Sequence, residues 1–235
     1  EPFGTERDVN AIGYEFLRHS LRARLATELN PRVRLGGPDC ARPYDIALFN
    51  VSAMSFGALS GNAIEALNGG AALGGFAHDT GEGAISPYHL KHGGDLIWEI
   101  GSGYFGCRDT DGRFDAAKFE EKAALPSVKA ISIKLSQGAK PGLGGVLPGP
   151  KVSPEIAATR GVPQGVTVVS PPAHTAFHTP LELVHFIATL RSLSGGKPVG
   201  FKLCVGARTE FLSICKAMLE TGITPDFVIV DGSEG

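Results

Sequence analysis

The chain has 235 residues, of which 43% are hydrophobic and 20% charged, enough for a large core and too apolar for a disordered chain. A formal net charge of −2 gives no basis for a nucleic acid or an anionic membrane as partner. Glycine reaches 32 residues without a G-X-Y period, so these glycines belong to turns and ligand loops.

Residues 1–44 read as an N-terminal helical extension and connector. A helix is expected from Asp8 to Leu29, with Val9, Ile12, Phe16, Leu17, Leu21 and Leu25 on its apolar side and Asn30-Pro31 ending it. Residues 45–235 then alternate strand and helix. Ile46 to Met54 reads as a buried strand ending in Ser52-Ala-Met-Ser-Phe-Gly-Ala-Leu-Ser60, and Ser60 is an N-cap for a helix closed by Gly74-Gly75. The segment Gly75 to Asp79 leads to the turn Thr80-Gly-Glu-Gly83. A strand follows at Leu96 to Ile100, then a loop over Gly101 to Gly106 and a short helix around Phe119.

Ile131, Ile133 and Leu135 alternate with Ser132, Lys134 and Ser136, the period of a strand. An ammonium inside such a strand needs a buried anion, a cofactor or a water-filled cavity. The Gly/Pro-rich loop that follows carries Lys140 and Lys151. Val166 to Val169 reads as a further strand, ending in Ser170-Pro-Pro-Ala-His174. Thr179, Pro180 and Glu182 open the next helix with the residues of a capping box. Val199 to Cys204 is a strand with Lys202 inside it. A helix from Thr209 and a strand from Phe227 to Val230 complete the series, which ends in Asp231-Gly-Ser-Glu-Gly235.

Strand–helix repetition with polar, glycine-rich strand ends predicts an α/β fold of the (β/α)8 TIM-barrel type, whose chemistry sits at the C-terminal ends of the strands. About six strand–helix steps are visible where closure needs eight, so the expectation is an incomplete barrel, finished by a missing segment or a partner chain. A complete smaller α/β fold is the alternative. The cysteines Cys40, Cys107, Cys204 and Cys215 form no C-x-x-C pair; Cys204 and Cys215 read as buried free thiols, and no metal site is expected. With no span-length apolar run and no signal peptide, a cytoplasmic setting is expected, an upstream anchor being left open because the chain begins at Glu1.

Five ordered segments, Ser52 to Ser60, Gly81-Glu-Gly83, Gln137-Gly-Ala-Lys-Pro-Gly142, Leu147-Pro-Gly149 and Ser170-Pro-Pro172, resemble the FMN-binding synthase domain of glutamate synthase and its short single-domain relatives. The resemblance covers roughly residues 45–235 and implies an FMN-dependent oxidoreductase that reduces the imine of 2-oxoglutarate and ammonia to glutamate, or performs a related step on another oxo or amino acid. It places Ser52, Ala53, Met54 and Ser55 against the flavin and Lys202 at its pyrimidine end. Glu82 and Lys134 fall on catalytic positions, and Lys140 and Arg160 on positions around a carboxylate substrate. His174 is a further candidate contact.

Each residue has a plainer reading: an ion pair inside the barrel for Lys202, a turn carboxylate for Glu82, a surface pair for Arg160 and a solvated loop residue for His174. The chain also departs from the family pattern. Val146 stands where the family carries a substrate-contacting glutamine, which puts 2-oxoglutarate itself in doubt. Leu143 replaces an acidic residue, and Thr175 a second histidine. None of the cysteines matches the family's iron–sulfur segment, so a cluster requires a missing downstream stretch. The electron donor, ferredoxin or an NAD(P)H-linked subunit, is left open. Two alternatives stand: a non-catalytic fragment or scaffold of such a barrel, and another barrel enzyme whose lysine loop holds a phosphate ligand.

Overall fold

The structure, a computed structural model, describes residues 8, 10–14, 20–29, 31–138 and 145–232. Its centre is a five-stranded, all-parallel sheet of β3 (Ala77–Asp79), β4 (Asp95–Ile100), β5 (Val128–Lys134), β8 (Val199–Leu203) and β9 (Val228–Val230), in that order. Val51 adds a sixth parallel position beside β3: its N–H donates to Ala77 O at 2.9 Å and its carbonyl accepts from Asp79 N at 3.0 Å. Six parallel positions in chain order fit a partial TIM barrel. Helices α1 (Gly61–Gly74), α2 (Pro87–Leu90), α3 (Ala116–Ala123), α5 (Pro180–Leu193) and α6 (Arg208–Thr221) lie between strands as βα units require. Local chemistry sets their ends. Ser60 accepts from Ala63 N at the start of α1, Gly75 closes it at φ +66°, and Thr179 with Glu182 forms the predicted capping box on α5.

The two faces of the sheet differ. Outward, Leu96, Trp98 and Ile100 of β4, Ile131 and Ile133 of β5, and Val199, Phe201 and Leu203 of β8 form one buried cluster with Phe119, Leu183, Ile187, Leu190 and Ile214 of the helices. Trp98 stacks on Phe119 with centroids 5.2 Å apart. Inward, the alternate residues begin with an apolar floor of Ala77, Ile97 and Ala130. Ile46 of β2 (Tyr44–Ala47), paired antiparallel with β1 (Arg32–Leu35), plugs that floor. Asp226 ties the plug in place: one carboxylate oxygen accepts from Gly37 N, and the other from Val199 N and Arg191 Nε. Above the floor the inward positions turn polar.

Four expectations require correction. The described part of residues 8–29 holds a single 3-10 turn, Ala26–Glu28, rather than a helix. Ile12 and Leu21 of that apolar stripe are fully exposed, and packing is what sustains an amphipathic helix. The strand read over Ile46 to Met54 is divided, because Asn50 turns the chain: its amide donates to Ala47 O and accepts from Ala77 N. Val166 to Val169 is not a barrel strand. Only Val168–Val169 (β7) is extended, and it pairs antiparallel with β6 (Val146–Leu147). This pair and α4 (Pro154–Arg160) form an excursion that packs Leu147, Val152 and Ile156 on Phe56 and Ile64. Cys204 and Cys215 are half-buried, and among the described residues no group of three metal-binding side chains occurs and no helix is long and apolar enough to cross a membrane.

Candidate active site

The C-terminal strand ends open into a cavity of about 490 Å³. Ser52, Ala53, Met54 and Ser55 form one wall, continuing the Val51 position along β3 through Met54 N to Asp79 O at 3.1 Å. Gly81 lets this wall approach the next turn. It lies at φ +62°, and a Cβ there would meet Ser55 N at 2.8 Å. At Gly101 a Cβ would come 2.8 Å from Glu82 Oε2, so the second glycine makes room for the carboxylate. Met54 is held from behind by a residue that sequence reasoning passed over. His89 Nε2 donates to Met54 O at 3.1 Å, while its Nδ1 accepts from Ser86 N. Burial pushes the His89 ring down to about 4, which keeps it neutral, and the Ser86 N–H on its Nδ1 sets the tautomer this bond needs.

Two cation–carboxylate pairs sit at the base. Lys134, at the end of β5, approaches Glu82 at 3.5 Å and donates to Gln137 Oε1. Lys202, on the neighbouring strand β8 and in register with Lys134, approaches Glu99 at 3.4 Å and Asp231 at 3.8 Å. Burial alone would pull the Lys202 ammonium down, but Glu99, Asp79 and Asp231 together hold it above the ordinary lysine value. Asp79 lies deeper still. Burial and the nearby Glu99 push its carboxyl well above the usual range, against one bond from Gly81 N. Burial raises Glu99 too, opposed by Lys202 and Lys134.

Arg160, the last residue of α4, reaches the cavity from the excursion. It is buried rather than in a surface pair; its Nη2 donates to Phe56 O at 2.9 Å, and its guanidinium lies 5.3 Å from the Phe105 ring centroid. Burial lowers it, opposed by Glu82. Val146 and Lys151 line the same cavity. Thus Ser52, Ala53, Met54, Ser55, Glu82, Lys134, Arg160 and Lys202 come together in one place. Lys140, with Leu143, lies outside the described residues.

His174 is absent from the lining of this cavity, and it is buried rather than a solvated loop residue. Its Nε2 donates to Lys134 O at 2.8 Å, and its Nδ1 accepts from the Tyr104 hydroxyl, which in turn accepts from Ala176 N. The ring also stacks on Phe177, so it braces the strand end that carries Lys134. Glu99, Asp79 and Asp231 are the site residues that sequence reasoning missed. The signal was present: Glu99 is a charge inside the apolar run Leu96 to Ile100, the same anomaly that marked Lys134 and Lys202.

Comparison with known proteins points to one family. A family profile described as a conserved region in glutamate synthase matches residues 22–235. The chain is 42% identical over 203 residues to the glutamate synthase large subunit-like protein YerD of Bacillus subtilis, covering 86% of this chain and 38% of that protein. It is 30% identical over 231 residues to the archaeal glutamate synthase (NADPH) of Methanocaldococcus jannaschii, covering 95% and 40%. With a glutamate synthase large subunit-like protein of Rhizobium meliloti the identity is 31% over 230 residues, covering 97% and 48%. The chain therefore spans less than half the length of each of these relatives. A parallel barrel segment with charged pairs at its strand ends, matched over nearly its whole length by that profile, places the chain in the glutamate synthase family.

Proposed function

We propose that this chain forms the flavin-ring and substrate side of an FMN-dependent oxidoreductase of the glutamate synthase type, acting on a 2-oxo acid and ammonia. The observation that carries the reading is the convergence of the small-residue wall Ser52 to Ser55, Lys202 and the Lys134–Glu82 pair on one cavity. The net change is reductive amination: the oxo acid, ammonia, two electrons and two protons give the amino acid and water. FMN, when bound, supplies the two-electron hydride step. Ser52 to Ser55 would flank the ring, and the Lys202 ammonium would lie at its pyrimidine end, stabilising negative charge there. Arg160 and Lys140 would hold the substrate carboxylate. Glu82, oriented by Lys134, would place ammonia or carry a proton at the reacting carbon's nitrogen. Val146 puts an apolar surface on the wall, which favours 2-oxo acids less polar at that end than 2-oxoglutarate.

A phosphate ligand fits this cavity less well. Lys134 and Lys202 there are already paired with Glu82, Glu99 and Asp231, so less of their charge is left for a dianion. The relatives' extra length leaves room for the rest of a barrel, for a phosphate grip and for a cluster-bearing segment. Electrons would come through such a segment or a partner from ferredoxin or an NAD(P)H-linked subunit. Adding excess FMN to the purified chain, removing free flavin and recording the visible spectrum tests the reading. A retained, protein-perturbed flavin band is expected; no retained flavin would leave the chain a non-catalytic piece of the barrel.

A further inference from the structure

The hydrogen bonds behind Lys134 run in one direction only. A carbonyl can only accept, so the 2.8 Å contact with Lys134 O puts a proton on His174 Nε2. Burial lowers the pKa of the ring, which leaves Nδ1 free to accept. Tyr104 Oη, 3.1 Å from Nδ1, therefore donates to it, and accepts in turn from Ala176 N at 3.0 Å. No member of this relay can turn round without leaving a buried group unpaired.

Both ends of the relay show why it is needed. Tyr104 is fully buried at φ +47°, a left-handed backbone that a bulky residue rarely adopts and that persists only where its surroundings fix it. Turns from Tyr104 N to Gly101 O and from Cys107 N to Tyr104 O hold it there. Phe114 meets its ring edge-on, and Phe177 stacks on His174 with centroids 4.6 Å apart. At the other end, the register of β5 with β8 stops at Lys134, and beyond it Cys204 N bonds the Ser136 hydroxyl instead of a strand carbonyl. The sheet thus gives little hold on the backbone that aims the Lys134 ammonium at Glu82. Resting on the reading above, in which Lys134 orients Glu82, we propose that Tyr104 and His174 are positioning residues for this reaction. They set its rate through Lys134 and leave the binding of flavin and oxo acid alone.

Single-turnover kinetics on the FMN-loaded chain test this: photoreduced flavin is mixed with ammonium and either 2-oxoglutarate or 2-oxobutyrate, and loss of the reduced spectrum is followed. His174→Leu should lower the limiting rate roughly tenfold or more, with flavin retention and the half-saturating oxo acid concentration within about twofold of wild type. His174→Gln, whose amide N–H can stand where Nε2–H stands, should recover most of that rate. His174→Asn, whose amide matches Nδ1, should not. Tyr104→Phe removes only the hydroxyl and should slow the reaction about threefold or more. Nitrogen-15 spectra of the flavin-free chain give a readout apart from turnover: the wild-type His174 proton should sit on Nε2, and the Nδ1 resonance should move in Tyr104→Phe. Equal rates for the Gln and Asn variants, rates that merely follow the urea midpoints, or a His174 protonated on Nδ1 overturn the inference and leave the FMN reading standing. A wild-type chain that retains no FMN, or whose reduced flavin neither oxo acid oxidises, overturns that reading and this inference together. If the His174 variants do not fold, a wild-type rate in Tyr104→Phe overturns the proposal by itself.

Discussion

The two faces of the central sheet are made by the same strands and obey opposite rules. Along β4, Leu96, Trp98 and Ile100 turn outward into a dry cluster, while Ile97 and Glu99 turn inward, one into the floor and one into the charged cavity. Alternation along a strand separates these neighbours by one residue. The outer face supplies stability through packing. The inner face gives some of it up, because buried charges lose more hydration than their pairing returns. The candidate site therefore lies where the fold is energetically poorest.

The sharpest test of that contrast is Trp98→Ala. Loss of a fully buried ring stacked on Phe119 should cost about 3–5 kcal/mol in a urea titration. Next is Lys202→Met, which leaves Glu99 buried without its cation. It should cost about 3 kcal/mol. The double variant Glu99→Leu/Lys202→Met should recover that loss and equal or exceed the wild type, while abolishing flavin retention. A double variant no more stable than Lys202→Met alone would break the comparison.

A smaller, pH-dependent effect belongs to the outer face. His78 is fully buried, its ring nitrogens lack partners among the described residues, and burial together with His89 pushes it down to about 4. Between the ordinary value near 6.5 and about 4, the unfolded chain binds a proton that the folded chain refuses, so this residue lowers stability as pH falls. His78→Leu, close to conserving volume, removes that penalty. The stability gap between His78→Leu and wild type should widen by up to about 1.4 kcal/mol per pH unit through this window, and a constant gap would show that His78 does not titrate there.

What could be read in advance follows the same division. Lys134 and Lys202 stood out because a charge in an apolar strand has few explanations, and both lie in the cavity. Glu99 carries the same signature in the run Leu96 to Ile100, but a carboxylate has no evident role beside an anionic substrate. The capping residues of α1 and α5 were legible because caps are local. The described part of residues 8–29 departs from the expected helix because helical periodicity reports an apolar stripe and not whether a surface exists to receive it. Val168–Val169 was misassigned for a related reason: an apolar run does not reveal its partner, here the equally short Val146–Leu147. His89 and His174 act through backbone carbonyls far along the chain, Met54 and Lys134, which spacing does not encode.

The Asp226 clamp bears on the order of events during folding. Its bond to Gly37 N closes a loop of 189 residues, and its other oxygen engages Val199 and Arg191 near the far end of the chain. So long a closure cannot form before the intervening strands have paired. The hairpin that seals the barrel floor is thus a late arrival, and its anchoring carboxylate acts on how slowly the finished molecule opens rather than on how quickly it assembles.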